Sequence, residues 1–470
     1  MSYRDVIVFI AVFAMLPRAF TRPFFGLLLF TWLAYMRPQD FCWGFAKPIR
    51  YSLYCAVLMY AGWFLYERRK FTRFATPTRW MLGLFVCVSI SLVLARRDPN
   101  DNQTSKWFDL VKVFLVTFFT VGMVDTRDRM QKIVWTIGLS LGVFGIKYGL
   151  HGILRGGRIL QGPGGMMLDN NDLCLGMAMN LPFLFFLGRS AQRLWLKRLC
   201  TAAFALTLVA IVCTLSRGGF LTMCVVCLLI FNKMKRSLLP WFLAAFAALL
   251  SPLVLPDDAK ERLATLQDPT QESSAAGRLH AWGVGMKMVA ANPFFGVGFE
   301  GFISNFRRYD PLQIRPQSGV KTVRVAHNTY IQVWAELGTF ALICFLGMLI
   351  STLWTLRKTR REAQLRGPQA QWIVDYTNLL EISLLAFMFG ANFLNRAHFD
   401  LMYHLVTLSV ALRFVARAEF AQIEPLPELP PPAFGSRALP AGLPPGAPAR
   451  SPSLTPSGTF GATPAFTRAP

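Results

Sequence analysis

The stretch HNTYIQVWAELGTFALICFLGMLISTLWTLRKTRR, residues 327–361, decides the fold class. From Leu337 to Leu356 it carries no charged side chain, and it then runs into Arg357, Lys358, Arg360 and Arg361. A bilayer core takes roughly 20 apolar residues per helix, so 328–356 reads as a membrane span with a basic mouth at one end. Working outward on the same ruler gives candidate spans at 51–66, 80–95, 107–124, 131–150, 172–187, 199–215, 218–231, 238–255, 377–393 and 398–415. Two shorter apolar pieces, 6–16 and 24–35, precede them, separated by Pro17, Arg18, Arg22 and Pro23. Proline interrupts a helical ladder, so these are two short helices or one broken element. The first piece has no small-residue cleavage site behind it and is not read as a removed signal peptide. The expected fold is all-α: a polytopic membrane protein with about 12 transmembrane helices.

Composition agrees. Of 470 residues, 54% are hydrophobic and only 16% charged, against about 25% charged in an average soluble domain. Lys and Arg number 49 and Asp and Glu 25, a net charge of +24, with a mean hydropathy of +0.40. A disordered chain is poor in apolar residues, and a nucleic-acid binder is a polar domain with a basic face. Both are excluded, and no nucleic-acid partner is expected. Eight of the nine cysteines (55, 87, 174, 200, 213, 224, 227 and 344) lie in apolar stretches, and Cys42 sits at a loop edge. They read as packing residues. The pair Cys224 and Cys227 lacks two further zinc ligands at a suitable spacing.

Basic residues in short loops favour the cytoplasm. They concentrate in every second loop: Arg68, Arg69, Lys70 and Arg73; Arg127, Arg129 and Lys132; Arg189, Arg193, Lys197 and Arg198; Lys233, Lys235 and Arg236; then Arg357 to Arg361. That alternation puts the end of the chain inside and the long segment after 255 outside. Four regions follow: N-terminal transmembrane helices over 1–255, a large external loop over 256–327, C-terminal helices over 328–417, and a tail over 418–470. The tail from Glu424 is rich in Pro, Ala, Gly and Ser and reads as disordered. Long loops with structure of their own tend to carry function. In this one 275–291 reads as a helix, with Leu279, Trp282, Met286 and Val289 as its apolar stripe, stopped at Asn292-Pro293.

Candidate chemistry gathers at the outer face. No cluster of metal ligands, Walker loop, nucleophile elbow or dinucleotide fingerprint is present, so no metal or cofactor is expected. The run Gly162-Pro163-Gly164-Gly165 reads as a glycine-rich loop at a membrane edge. Arg217, within Ser216-Arg217-Gly218-Gly219, stands between two apolar spans. An arginine at that depth either snorkels to the interface or faces a cavity or an anion, and flanking glycines let a ligand or another chain approach the backbone. Arg278 opens the loop helix, either as a solvated charge or as the second member of an anion site. His327, where the loop meets span 328–356, is a capping or interfacial residue or a base for a hydroxyl proton. His280 reads as a surface residue of the loop helix, His151 and His398 as span ends, and His404 as a span interior residue. The run Asp169-Asn170-Asn171-Asp172 caps a helix start or contacts sugar hydroxyls. Glu336 is a structural pair or a site member.

Taken together, Ser216-Arg217-Gly218-Gly219, Gly277-Arg278 with Trp282, Asn292-Pro293-Phe294-Phe295-Gly296-Val297-Gly298, and His327-Asn328-Thr329-Tyr330 with Glu336-Leu337-Gly338 resemble the O-antigen ligase family, relatives of the O-antigen polymerases. The resemblance covers about residues 130–356, and Gly162–Leu173 is a looser match. It implies a fold akin to the GT-C glycosyltransferases and a metal-independent, inverting transfer of glycan. The donor would be an undecaprenyl-diphosphate-linked glycan, the acceptor the lipid A-core oligosaccharide, and the setting the outer side of a bacterial inner membrane. It further implies His327 as the base, with Arg217 and Arg278 holding the diphosphate and Arg324, Asn328 and Asn171 as further substrate contacts. Two enzyme rivals share the donor: an O-antigen polymerase and a protein O-oligosaccharyltransferase. A transporter of lipid-linked glycan is the rival of another class. It calls for ionisable residues along a mid-bilayer path and for repeated halves, and no internal repeat is evident.

Overall fold

The structure is a computed structural model, and it describes residues 3–67, 74–94, 102–157, 159–165, 167–234, 273–310 and 323–423. The expected span 238–255, the basic residues Arg68, Arg69, Lys70, Arg73, Lys235 and Arg236, parts of the long loop and the tail from 424 lie outside the described residues. The chain begins with α1 (Tyr3–Thr21), α2 (Pro23–Met36), α3 (Tyr51–Tyr66), α4 (Thr76–Leu94), α5 (Gln103–Met123) and α6 (Arg127–Arg155). A hairpin of β1 (Gln161–Gly164) and β2 (Met167–Asp169) follows, then α7 (Asn170–Ser190), α8 (Leu194–Cys213) and α9 (Arg217–Met234). The loop supplies α10 (Ser273–Ala291) and α11 (Phe302–Tyr309), and the chain continues through α12 (Thr329–Gln364), α13 (Gln371–Gly390) and α14 (Asp400–Phe420).

Eight segments among the described residues are long and apolar enough to cross a membrane. They are α4, α6, α7, α8, α9, α12, α14 and Gly367–Gly390, which contains α13. The helix α3 matches its expected bounds but has only 16 residues. The first two pieces are separate helices, and of the two prolines expected to separate them Pro23 marks the break. The ladder of α1 absorbs Pro17 and runs on to Thr21, and α2 starts at Pro23, whose fixed φ suits a first helical position. The glycine-rich loop is also corrected, since Gln161 pairs with Asp169 and Gly164 with Met167 in an antiparallel hairpin.

Burial separates centre from periphery. In α7 and α14, 83% of the apolar window is buried, against 33% in α9 and 39% in α4 and α8. The central helices accordingly hold the inward polar groups, among them Asp172, Asn180, His404 and Arg413. The long α12 shows the two-faced character of a span. Ala341, Phe345, Met348 and Leu349 are buried in the bundle, while Phe340, Ile343, Ile350 and Trp354 are exposed. An apolar stripe of that length is stable facing lipid and costly facing water.

The loop helices have a small core of their own, built from Ala281, Val284, Met288, Val289, Phe302, Phe306, Ala326 and Ala335. Of the expected stripe on α10, Val289 is buried as expected, but Leu279 is 65% exposed and Met286 42%. Ala281, Val284 and Met288 complete the buried face, where α10 packs on α12. His280 is corrected as well. Its Nε2 lies 3.2 Å from Asp310 Oδ1, and its ring meets the edge of Phe306.

Candidate active site

Backbone geometry accounts for two of the sequence motifs, the one ending in Gly298 and the one ending in Gly338. The ladder of α12 breaks at Gly338 (φ 83°, ψ −178°), and buried carbonyls released by such a break need new donors. Val297 N–H donates to Ala335 O at 2.9 Å and Gly298 N–H to Glu336 O at 3.0 Å, while Thr339 N–H donates to Pro293 O at 2.8 Å. Ser91 Oγ donates to Glu336 O at 3.0 Å. The segment from Asn292 to Gly298 is thus a strap hydrogen-bonded along the kink. A Cβ on Gly338 would lie 2.1 Å from Phe294 O, and one on Gly296 would lie 2.3 Å from the Glu336 carbonyl carbon. Both positions also have positive φ, so glycine is needed twice over.

The strap and α10 hold the segment that carries His327. Trp282 Nε1 donates to Ala326 O at 2.8 Å. On the other side Thr329 N–H donates to Ala391 O at 2.8 Å, and Thr329 Oγ1 donates to Leu394 O at 2.8 Å. Pinned between them, His327 adopts φ 48°, the left-handed region that costs a side-chain-bearing residue. It is half-buried. Burial lowers its pKa, Arg278 and then Arg324 lower it further, and Asp169 opposes them. Arg324 reaches the backbone next to Arg278, since a Cβ on Gly277 would meet its Nη1 at 1.8 Å. Three of the expected site residues, His327, Arg278 and Arg324, therefore share one electrostatic neighbourhood, and its result is a neutral imidazole able to take a proton. Asn328 caps α12, its Oδ1 accepting from Tyr330 N–H at 3.0 Å and Ile331 N–H at 3.1 Å.

Asn171 and Arg217 belong to a second, adjoining lattice. Asp169 Oδ1 caps α7 by accepting from Asn171 N–H at 2.9 Å and accepts again from its Nδ2 at 2.8 Å. Ser216 Oγ donates to Asn171 Oδ1 at 2.7 Å, and Asn170 Nδ2 donates to Thr214 O at 3.0 Å. The starts of α7 and α9 are thereby tied together, with Arg217 exposed at the first position of α9. The flanking glycines admit protein rather than a ligand. A Cβ on Gly218 would lie 2.6 Å from Phe393 Cβ, and one on Gly219 would lie 2.0 Å from Cys174 Sγ.

Between these lattices and the bundle lies a cavity of about 1190 Å³. His327 and Asn171 border it; Arg217, Arg278, Arg324 and Asn328 are not in its lining. Its wall also holds residues that sequence reasoning passed over. Arg396 forms a two-pronged ion pair with Asp172, and Lys106 Nζ lies 2.8 Å from Glu300 Oε2. Burial works against the Glu300 carboxylate, but His398 and Lys106 hold its pKa below the usual range. Burial lowers the pKa of His398, which Glu300 only partly offsets. The signal was the density of polar residues in Asn395-Arg396-Ala397-His398-Phe399-Asp400 between two apolar spans.

A family model described as O-Antigen ligase matches residues 202–346, the stretch that holds Arg217, Arg278, Arg324, His327 and Asn328. A second, described as a family of unknown function, matches residues 3–178 and takes in Asn171. No curated protein matches the chain.

Proposed function

Through residues 202–346 the chain belongs to the O-antigen ligase family, and we propose that it transfers a glycan from undecaprenyl diphosphate to a hydroxyl of the lipid A-core oligosaccharide. The reaction takes place at the periplasmic face of the inner membrane. The observation that carries the reading is His327: a half-buried imidazole kept neutral beside Arg278 and Arg324, in the wall of a large cavity. The acceptor oxygen attacks the anomeric carbon and His327 takes its proton. The bond from that carbon to the diphosphate breaks, and the sugar inverts. Fixed guanidinium groups meet the charge that develops on the leaving diphosphate, and their planar forks suit phosphate oxygens. Arg278 and Arg324 serve this role next to the base. Arg217 approaches from the start of α9, with Asn171 beside it as a sugar contact. With a leaving group of this quality, the proposed chemistry needs neither a metal nor a nucleotide sugar.

The test is reconstitution of the full chain with undecaprenyl-diphosphate-linked glycan and lipid A-core, followed by gel analysis. Label is expected on lipid A-core with the wild type and is lost with His327→Ala or Arg278→Ala. Label on longer lipid-linked glycan, or on protein, would overturn the acceptor assignment. Movement of lipid-linked glycan between leaflets without a new glycosidic bond would overturn the enzyme reading itself.

A further inference from the structure

We propose that Gln332, Asn395 and His398, backed by the carboxyl groups of Glu300 and Glu336, form a saccharide subsite in the cavity that His327 borders. The subsite rests on the ligase reading above and adds to it a place for sugar hydroxyls, apart from the guanidinium groups assigned to the diphosphate.

Several polar atoms in the cavity wall have no hydrogen-bond partner among the described residues. Gln332 is in the first turn of α12, directly after His327, and is only 3% exposed. Its Nε2 donates to Glu336 Oε2 at 3.2 Å, yet its Oε1 is sealed from solvent with no partner among the described residues. Asn395 Oδ1 and both ring nitrogens of His398 are in the same condition. All three residues border one cavity. A buried polar atom left unpaired costs about 1–3 kcal/mol, so four in one wall mark a surface built for a partner that both donates and accepts. A sugar hydroxyl does both.

Charge narrows the ligand class. Glu336 is held in place, its Oε1 accepting from Phe302 N–H at 3.2 Å, and Glu300 stands near enough to act on it electrostatically. The Glu300 carboxylate repels a diphosphate and accepts from neutral hydroxyls, and Glu336 lines the same wall. Lys106 is paired with Glu300, and Arg396 is engaged by Asp172. The other two cations of the lining are paired as well, Arg37 with Asp40 and Lys112 with Asp109, so each of the four has a carboxylate partner. The cavity, at about 1190 Å³, exceeds the roughly 300–1,000 Å³ of a typical small-ligand pocket, which leaves room for sugar rings beside the reacting centre.

The sugar belongs either to the donor glycan or to the acceptor, and one experiment separates these sources. Gln332→Met and His398→Phe, each close in shape to the residue it replaces, are prepared as full chains in lipid nanodiscs. Three quantities are measured: affinity for bare undecaprenyl diphosphate, affinity for the glycan-linked form, and the KM and kcat with lipid A-core. Both variants are expected to bind the bare lipid as the wild type does. If the donor's sugar occupies the subsite, affinity for the glycan-linked lipid falls about tenfold, the effect of one lost hydrogen bond at about 1.4 kcal/mol. If the acceptor's sugar occupies it, KM for lipid A-core rises by a similar factor while kcat changes less. Folded variants that bind bare lipid and leave both sugar-dependent quantities unchanged would overturn the subsite and leave the ligase reading standing. A wild type that does not bind undecaprenyl diphosphate takes down both.

Discussion

The two ends of α9 and α12 carry charge in opposite ways. Arg217 opens α9 and Lys233 sits one residue before its end, about 24 Å away at 1.5 Å per residue. At the Lys233 end Glu381 is almost fully enclosed, its side chain 4% exposed, and it is gripped by Lys233 at 3.2 Å, by Arg357 at 2.8 Å and by Arg360. Arg360 also donates to Asn378 Oδ1 at 3.2 Å. Close by in sequence, Glu362 takes both prongs of Arg413 at 2.6 and 2.8 Å. At the other end His327 has a strained backbone, basic neighbours beside its ring, and a cavity wall with unpaired polar atoms. A closed ion cluster holds helices together; unpaired polar atoms in a cavity wall are placed to meet a ligand. Dense charge in a membrane protein is therefore ambiguous until its partners are counted.

The sharpest way to break that contrast is to exchange the effects of the two ends. His327→Gly is expected to reduce transfer by about 10²–10⁴-fold, the usual contribution of a positioned base. Glycine accepts φ 48° without penalty, so stability is expected to stay within about 1 kcal/mol of wild type. Glu381→Gln is expected to do the reverse. Removing one member of a buried ion cluster costs about 3–5 kcal/mol, seen as a large fall in the thermal midpoint of the purified protein. The fraction that remains folded should retain near-normal kcat. If Glu381→Gln lost activity at full stability, the division between structural and catalytic ends would be wrong.

A smaller effect is expected at the strap. Gly338→Ala would put a methyl against Phe294 O in a left-handed backbone, a strain of roughly 1–3 kcal/mol before the overlap is counted. The thermal midpoint should fall, and so should activity, because Gly338 and the strap hold the first turns of α12. Ala substituted at Gly122, where a Cβ meets nothing within 4 Å, is the control and should leave both unchanged.

These positions also show what the sequence could reveal. Span existence was legible because length and apolarity are local properties, and α3, α7, α9 and α10 lie within a few residues of expectation, whereas α12 runs well past its expected end and α11 was not expected. The face of α10 was legible only in part. Hydrophobic pattern weights large residues, whereas the small Ala281 and Val284 form part of the buried face. Of the two breaker prolines only Pro23 marks the boundary, because the ladder of α1 continues through Pro17. At the site, the order of motifs pointed to His327, Arg278 and Arg324, yet the strap between Gly296 and Gly338 was invisible as a pairing. Asp172 and Arg396 are 224 positions apart, and no local pattern announces that two such residues meet.

The smallest effect is a shift in pH dependence, and it tests the electrostatic half of the contrast. His327 has to be neutral to accept a proton, so the acid limb of kcat/KM follows its pKa. That pKa is lowered by burial first, then by Arg278 and Arg324, and raised by Asp169. In Arg278→Gln a nearby positive charge is gone, the imidazolium forms more readily, and the acid limb moves to higher pH. It should stop short of an ordinary histidine, because burial and Arg324 remain. In Asp169→Asn the lost charge is negative, so the limb moves to lower pH, and asparagine preserves the helix cap. Opposite displacements from the two variants require His327 to be the group that titrates. A limb that stays fixed in both would assign the titration to another residue, with His398 in the same cavity the next to examine.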